Sequence, residues 1–259
     1  MESIKGIYKT GHGPSSSHTM APNKAAEIFK AKTPNASSYR VTLFGSLAAT
    51  GKGHLTDKTI IEELSPKLVE IIWKPDVFLS IHPNGMTFEA LESNGEVIDA
   101  WTTYSIGGGD LYAETQSEIS QLYPHNNMSE ILKYTLKNGI SLWEYVEKFE
   151  GAEIWDFLKS RWEEMKSCVE KGIKKEGVLP GELHLARRAA TFYLKSNYVV
   201  GSLNRKATVF AYSLAVSEEN ASGGIVVTAP TCGSAGVLPG VLYHTWKDYN
   251  IPEESKYHW

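Results

Sequence analysis

The chain has 259 residues, 42% hydrophobic and 22% charged, enough apolar material for a real core in one large domain or two ordinary ones. Its net charge of −4, with no run of lysine or arginine, excludes a broad basic surface for nucleic acid. No apolar stretch approaches the roughly 20 residues that span a bilayer, and residues 1–5 lack the apolar centre of a signal peptide, so no membrane partner and a cytoplasmic location are expected.

In chain order, the first 115 residues read as mixed α/β. Residues 21–32 hold Ala, Glu and Lys in helical proportion, with Pro22 near the start, where its missing N–H costs nothing. Residues 40–46 alternate like a strand, and residues 57–64 read as a helix with Asp57 placed to cap its first turn. Residues 67–73, 77–81, 86–91 and 97–104 are further strand candidates, and Ser93-Asn94-Gly95 is a hairpin turn signal. These elements predict a mostly antiparallel sheet with two helices.

Residues 110–127 are polar, carry Pro124 and read as a loop or boundary. Residues 128–175 have helical spacing, and Trp143, Tyr145, Phe149, Trp155, Phe157 and Trp162 recur along them as a packing face. After the punctuation of residues 177–181, helices are predicted over 186–198, 205–217 and 237–246. The second of these has Ala and Leu all round, which predicts burial. The expected fold class is α+β: a mixed α/β domain over residues 1–110, a helical linker over 111–180 and the start of a largely helical domain over 181–259.

Three segments carry more than structure requires. Residues 11–22 set Ser15, Ser16, Ser17, His18 and Thr19 just before a helix start, where hydroxyls and free N–H groups suit an anion, or simply a cap and turn. Residues 45–57 run from a strand through a glycine-rich turn into a helix. They are not a P-loop, because Lys52 lies between the glycines, and a dinucleotide fingerprint fails for want of a third glycine. His54, in that tight polar turn near Thr56 and Asp57, suits a general base whose tautomer a neighbour fixes. Residues 218–236 surround Cys232 with small residues at the mouth of the 237–246 helix. A helix dipole there favours a thiolate; the other reading is close packing that needs small residues. The segments 82–86, with Asn84, and 105–110 read as turns.

The motifs GPSSSHT, GSLAATGKGHLTD, HPNGM, YSIGGG, GVLPG, SEENASGG and VTAPTCGSAGVLPGVL occur in that order. The order resembles the bacterial iron–sulfur L-serine ammonia-lyases, also called L-serine dehydratases, from Ile4 to about His244. The resemblance implies a β domain over 1–110, a largely helical α domain, conversion of L-serine to pyruvate and ammonia, and a homodimer in the intact protein. It also implies His54 and His18 as base and orienting or proton-relaying group, in roles that can be exchanged, with Asn84 on the developing enediolate. Ser15, Ser16, Ser17 and Thr19 would hold the substrate carboxylate. A 4Fe–4S cluster is implied in place of pyridoxal phosphate, with Cys232 as ligand, three residues before the position, Ala235, where the family has its cysteine. A cubane takes about three or four thiolates and the chain has two cysteines, Cys168 and Cys232, so the other ligands are expected beyond residue 259. A serine-binding module without turnover, or a partner subunit, is the alternative reading.

Overall fold

The computed structural model describes residues 1–112, 121–181, 183–198 and 200–251. Its first half contains β1 (Thr10–His12), α1 (Ala21–Lys32), β2 (Ser38–Phe44), α2 (Gly45–Thr50), α3 (Thr56–Leu64), β3 (Leu68–Lys74), β4 (Gly85–Leu91), β5 (Val97–Gly107) and β6 (Asp110–Leu111). A five-stranded sheet has the order β3-β2-β4-β5-β6. It is antiparallel except where β3 runs parallel to β2.

Strand alternation sets the two faces of this sheet. On one face Tyr39, Val41, Leu43, Met86, Phe88 and Ala90 meet Ala25, Ala26 and Phe29 of α1 and Ile60 and Leu64 of α3. On the other, Arg40 pairs with Glu70 at 2.9 Å and Glu89 at 3.5 Å. The 93–95 hairpin forms, with Gly95 at φ +86°, where a Cβ would be strained.

The second half is helical: α4 (Met128–Asn138), α5 (Leu142–Glu150), α6 (Ile154–Gly172), α7 (Ala189–Ser196), α8 (Ser202–Ala221), β7 (Ile225–Val227) and α9 (Val237–Asp248). Asn127 caps α4, and Ser141 with Glu144 closes a capping box on α5. Trp162, Met165, Cys168 and Val169 of α6 pack with Tyr212 and Val216 of α8, Val226, Val227, Cys232 and Tyr243. The small residues of 233–240 serve close approach, as the packing alternative required. A Cβ at Gly240 would lie 2.2 Å from Ser213 Oγ and 2.7 Å from Ser213 N.

The expected α+β class, with a largely helical second part, is what the structure has; several local expectations are corrected. Residues 77–81 form no strand, although their apolar character suggested one. Their backbone is bonded instead to the start of α2, where Gly45 N donates to Val77 O at 2.9 Å. The glycine-rich stretch after β2 begins as helix α2, giving the first half three helices rather than two. Asp57 does not cap α3: the N-cap is Leu55, in the left-handed region at φ 57°. Helix α7 starts at Ala189 because residue 186 bridges to Val178 and the Glu218 carboxylate caps Arg188 N at 2.6 Å and Ala189 N at 3.2 Å. Helix α8 is longer than expected and not buried all round, since Leu203 and Phe210 are exposed. Of the loop expected over 110–127, residues 110–111 are strand and residues 113–120 lie outside the described residues.

The strands β1 and β7 were not expected. They pair antiparallel, Thr10 opposite Val227 and His12 opposite Ile225, so the N-terminus joins the helical half. No helix among the described residues is long and apolar enough to cross a membrane.

Next to this pair, Glu219 is a buried carboxylate that accepts from Arg187 at 2.8 Å and Lys175 at 2.6 Å. Arg187 is itself 6% exposed at the side chain. Glu219→Ala leaves that guanidinium buried without its charge partner, so chemical denaturation should show a loss of about 3–5 kcal/mol. A loss within a few tenths of the wild-type value would mean that Arg187 finds another partner.

Candidate active site

The histidines His18 and His54 come together from two turns that each precede a helix. Residues 15–20 enter α1 through a π turn, Ser16–Met20, in which Thr19 N and Met20 N both donate to Ser15 O. Single π turns of this kind recur at functional sites because they re-aim side chains. Ser15 caps the turn, accepting from His18 N at 3.1 Å. Residues 51–55 turn back to α3, with His54 N bonded to Gly51 O at 3.1 Å.

The turns are cross-braced. Thr19 Oγ1 donates to His54 O at 2.7 Å, and Thr56 Oγ1 donates to His18 O at 2.5 Å. Both threonines are buried, at 1% and 0% exposure. The imidazole centroids stand 4.8 Å apart at 41°.

The two rings differ in their bonding. His54 Nδ1 lies 3.0 Å from Thr50 O. A carbonyl only accepts, so Nδ1 carries a proton, and in the neutral ring the free lone pair is on Nε2. Among the described residues nothing bonds His54 Nε2. His18 has hydroxyls at both nitrogens, Ser17 Oγ at 2.9 Å from Nδ1 and Ser46 Oγ at 3.0 Å from Nε2. Burial, then the neighbouring His54, holds the His18 pKa below its ordinary 6.5, while a hydrogen bond to the Ser46 backbone works in the opposite direction.

The predicted substrate hydroxyls divide. Ser15 and Ser17 are half-buried, with their Oγ atoms 3.4 Å apart beside the His18 ring. Ser16 is buried, and the Thr19 hydroxyl is already used, accepting from Ser15 N at 3.1 Å while donating to His54 O. Asn84 reaches the site through its neighbours: Pro83 O accepts from Ser46 N at 3.2 Å. Asn84 Nδ2 donates to Ser105 O at 3.4 Å, and Ser105 N donates back to Asn84 O at 3.0 Å. The Ser105 hydroxyl is buried without a hydrogen-bond partner among the described residues. Ser46 and Ser105 were not singled out from the sequence, and Thr56 was named only as a polar neighbour of His54. The signals available were the His-Thr and His-x-Thr spacings and the Gly-Ser pair at a strand end.

Cys232 lies in the helical core, 3% exposed, its thiol donating at 3.8 Å to Sδ of Met20, the last residue of the turn that carries His18. Burial pushes that thiol up to about 12, opposite to the thiolate expected at a helix mouth. Cys168 is pushed up to about 12 as well, by burial and then by Glu219. The motif around residue 220 props the serine loop: Gly13 N donates to Gly224 O at 3.0 Å and Asn220 Nδ2 to Pro14 O at 3.2 Å.

Comparison with known proteins gives two family matches, serine dehydratase beta chain over residues 3–72 and serine dehydratase alpha chain over residues 58–258. The chain is 34% identical to L-serine dehydratase of Haemophilus influenzae, aligned over 93% of this chain and 66% of that protein. It is 33% identical to L-serine dehydratase of Streptomyces coelicolor and 34% to L-serine dehydratase 1 of Escherichia coli, over 93% of this chain and 65% of each relative. The chain thus spans just under two thirds of the length of these relatives.

Two outcomes follow from the geometry. Thr56→Val leaves the His18 carbonyl without its donor in a buried place and should cost about 1–3 kcal/mol; Thr56→Ser should recover most of it in the same urea titration. The depressed His18 pKa means that the unfolded chain binds that proton more readily. Stability linked to His18 is therefore whole above 6.5 and is lost as the pH falls from there through the folded value. The stability difference between wild type and His18→Asn should shift accordingly between about pH 7.5 and 5.5, and a pH-independent difference would contradict the depressed pKa.

Proposed function

The chain belongs to the serine dehydratase family, and from that premise we propose that its paired histidines serve the β-elimination of water from L-serine. The observation that carries this reading is the contact of His54 Nδ1 with Thr50 O at 3.0 Å, which leaves Nε2 free to act as a base.

His54 Nε2 takes the Cα proton of L-serine, and the electron pair of that C–H bond forms the Cα–Cβ double bond as the Cβ–O bond breaks. The departing hydroxide takes a proton and leaves as water. His18, neutral and bonded to hydroxyls on both sides, is the group suited to relay that proton. The aminoacrylate becomes the imine and hydrolyses in water to pyruvate and ammonia. Ser15 and Ser17, with Ser16 through its turn, hold the substrate carboxylate, while Thr19 acts by fixing His54. Asn84 Nδ2 offers a hydrogen bond to the oxygen on which charge develops.

The family resemblance implies a 4Fe–4S cluster, whose chemistry would be to polarise the leaving hydroxyl. The residues of this chain do not fit one as they stand. Two cysteines fall short of the roughly three or four thiolates a cubane takes, and both are buried with thiols pushed up to about 12. No three of His, Cys, Asp and Glu stand together as a metal set among the described residues. To act as a ligand, Cys232 would first have to leave Met20 and lose its proton.

The wider reading keeps residues 1–110 as the β domain, 111–180 as helical linker and 181–259 as the start of the α domain. The sheet's last strand, ending at Leu111, supports the first division. A homodimer in the cytoplasm belongs to the same reading and rests on the family alone.

In a pyruvate-coupled assay with L-serine, His54→Ala should lower kcat by on the order of 10²–10⁴-fold, with a much smaller change in KM. Undiminished turnover in that variant would remove His54 as the base.

A further inference from the structure

We infer that Ser46 is the positioning residue that sets the His18 ring, and that α2 acts as a common strut for both imidazoles. This deepens the elimination just described and rests on that reading.

The two hydroxyls on His18 are unlike. Ser17 is the adjacent residue in the same turn and travels with His18. Ser46 comes from another element, 28 residues away, and bonds Nε2 at 3.0 Å. Only a group from outside the turn can serve as a fixed reference for the ring.

Ser46 is itself held at both ends of its peptide. Its N–H donates to Pro83 O at 3.2 Å, and its carbonyl accepts from Thr50 Oγ1 at 3.0 Å. The residue before it has to be glycine: Gly45 sits at φ +48°, and a Cβ there would lie 2.5 Å from Pro83 O. A side chain at 45 would push the 83–84 turn away and carry Asn84 with it. The Gly-Ser pair therefore locks the turn on one side and the imidazole on the other.

One helical turn further on, Thr50 presents its carbonyl to His54 Nδ1 at 3.0 Å. The same short helix thus bonds Nε2 of one histidine through a side-chain hydroxyl and Nδ1 of the other through its last main-chain carbonyl. The Ser46 hydroxyl has no other partner among the described residues, so its hydrogen bond is committed to Nε2.

The test uses the whole chain with histidines labelled in the ring nitrogens. The wild-type His18 spectrum should report one dominant tautomer above the ring's pKa. Ser46→Ala should change that tautomer balance and lower kcat for L-serine by about 10- to 100-fold, as expected for a misplaced reacting group, with KM little changed. Ser46→Thr, which keeps the hydroxyl, should restore both. An alanine variant with the wild-type tautomer, or a threonine variant as impaired as alanine, overturns the role of Ser46. A wild-type chain that makes no pyruvate overturns the reaction, while the ring spectra still decide Ser46.

Discussion

The site depends on a reciprocal grip: each histidine's segment supplies a buried threonine hydroxyl to the other histidine's carbonyl. A buried carbonyl without a donor costs on the order of 1–3 kcal/mol, so neither turn can shift without opening the bond made by the other. The grip acts on the backbone and leaves the rings themselves free to meet a substrate. It also explains a division of labour among the hydroxyls. Thr19 and Thr56 are structural because they are buried and fully bonded, whereas Ser15 and Ser17 keep exposure and sit beside the ring.

The grip in turn needs both halves of the molecule. The serine loop is framed on one side by α2 and α3 and on the other by the end of α8 and by β7. At Gly13 the fit is closest, since a Cβ there would lie 2.2 Å from Asn220 Oδ1 and 2.4 Å from Asn220 O. Met20, at the end of the π turn, packs into the helical core against Cys232. The position of His18 is thus set by sheet-side residues at its ring and by helix-side residues beneath its loop.

Much of this was legible in the sequence, and the remainder failed for physical reasons. Helix α1 was read with its observed bounds because Pro22, the Ala-rich face and the basic last turn all point the same way. The hairpin between β4 and β5 was equally clear, since Asn-Gly chemistry is local. Residues 77–81 misled because apolar β-branched composition signals burial, not the partner that a strand requires. The pairing of β1 with β7 was hidden because three-residue strands more than 200 positions apart leave no periodicity to read. The histidines were found from their polar, glycine-rich surroundings, yet Ser46 was not, because its significance lies in a contact across 28 residues. Cys232 was read either as a thiolate at a helix mouth or as part of a closely packed turn; the small residues around it bring the helices together and bury it, as the second reading required.

The pairing of β1 with β7 has a consequence for how such a gene could be divided. Residues 10–12 precede the sheet in sequence but complete a ladder with residues 225–227. A break after residue 110 would therefore separate two polypeptides that still share one strand pair, with the serine loop suspended between them. Each piece would carry half of an unsatisfied edge, and the histidines would be held in place only on reassociation. The hinge of modularity in this architecture thus lies in the N-terminal dozen residues rather than at the end of the sheet: that short segment belongs to the first piece by sequence and to the second by its strand pairing.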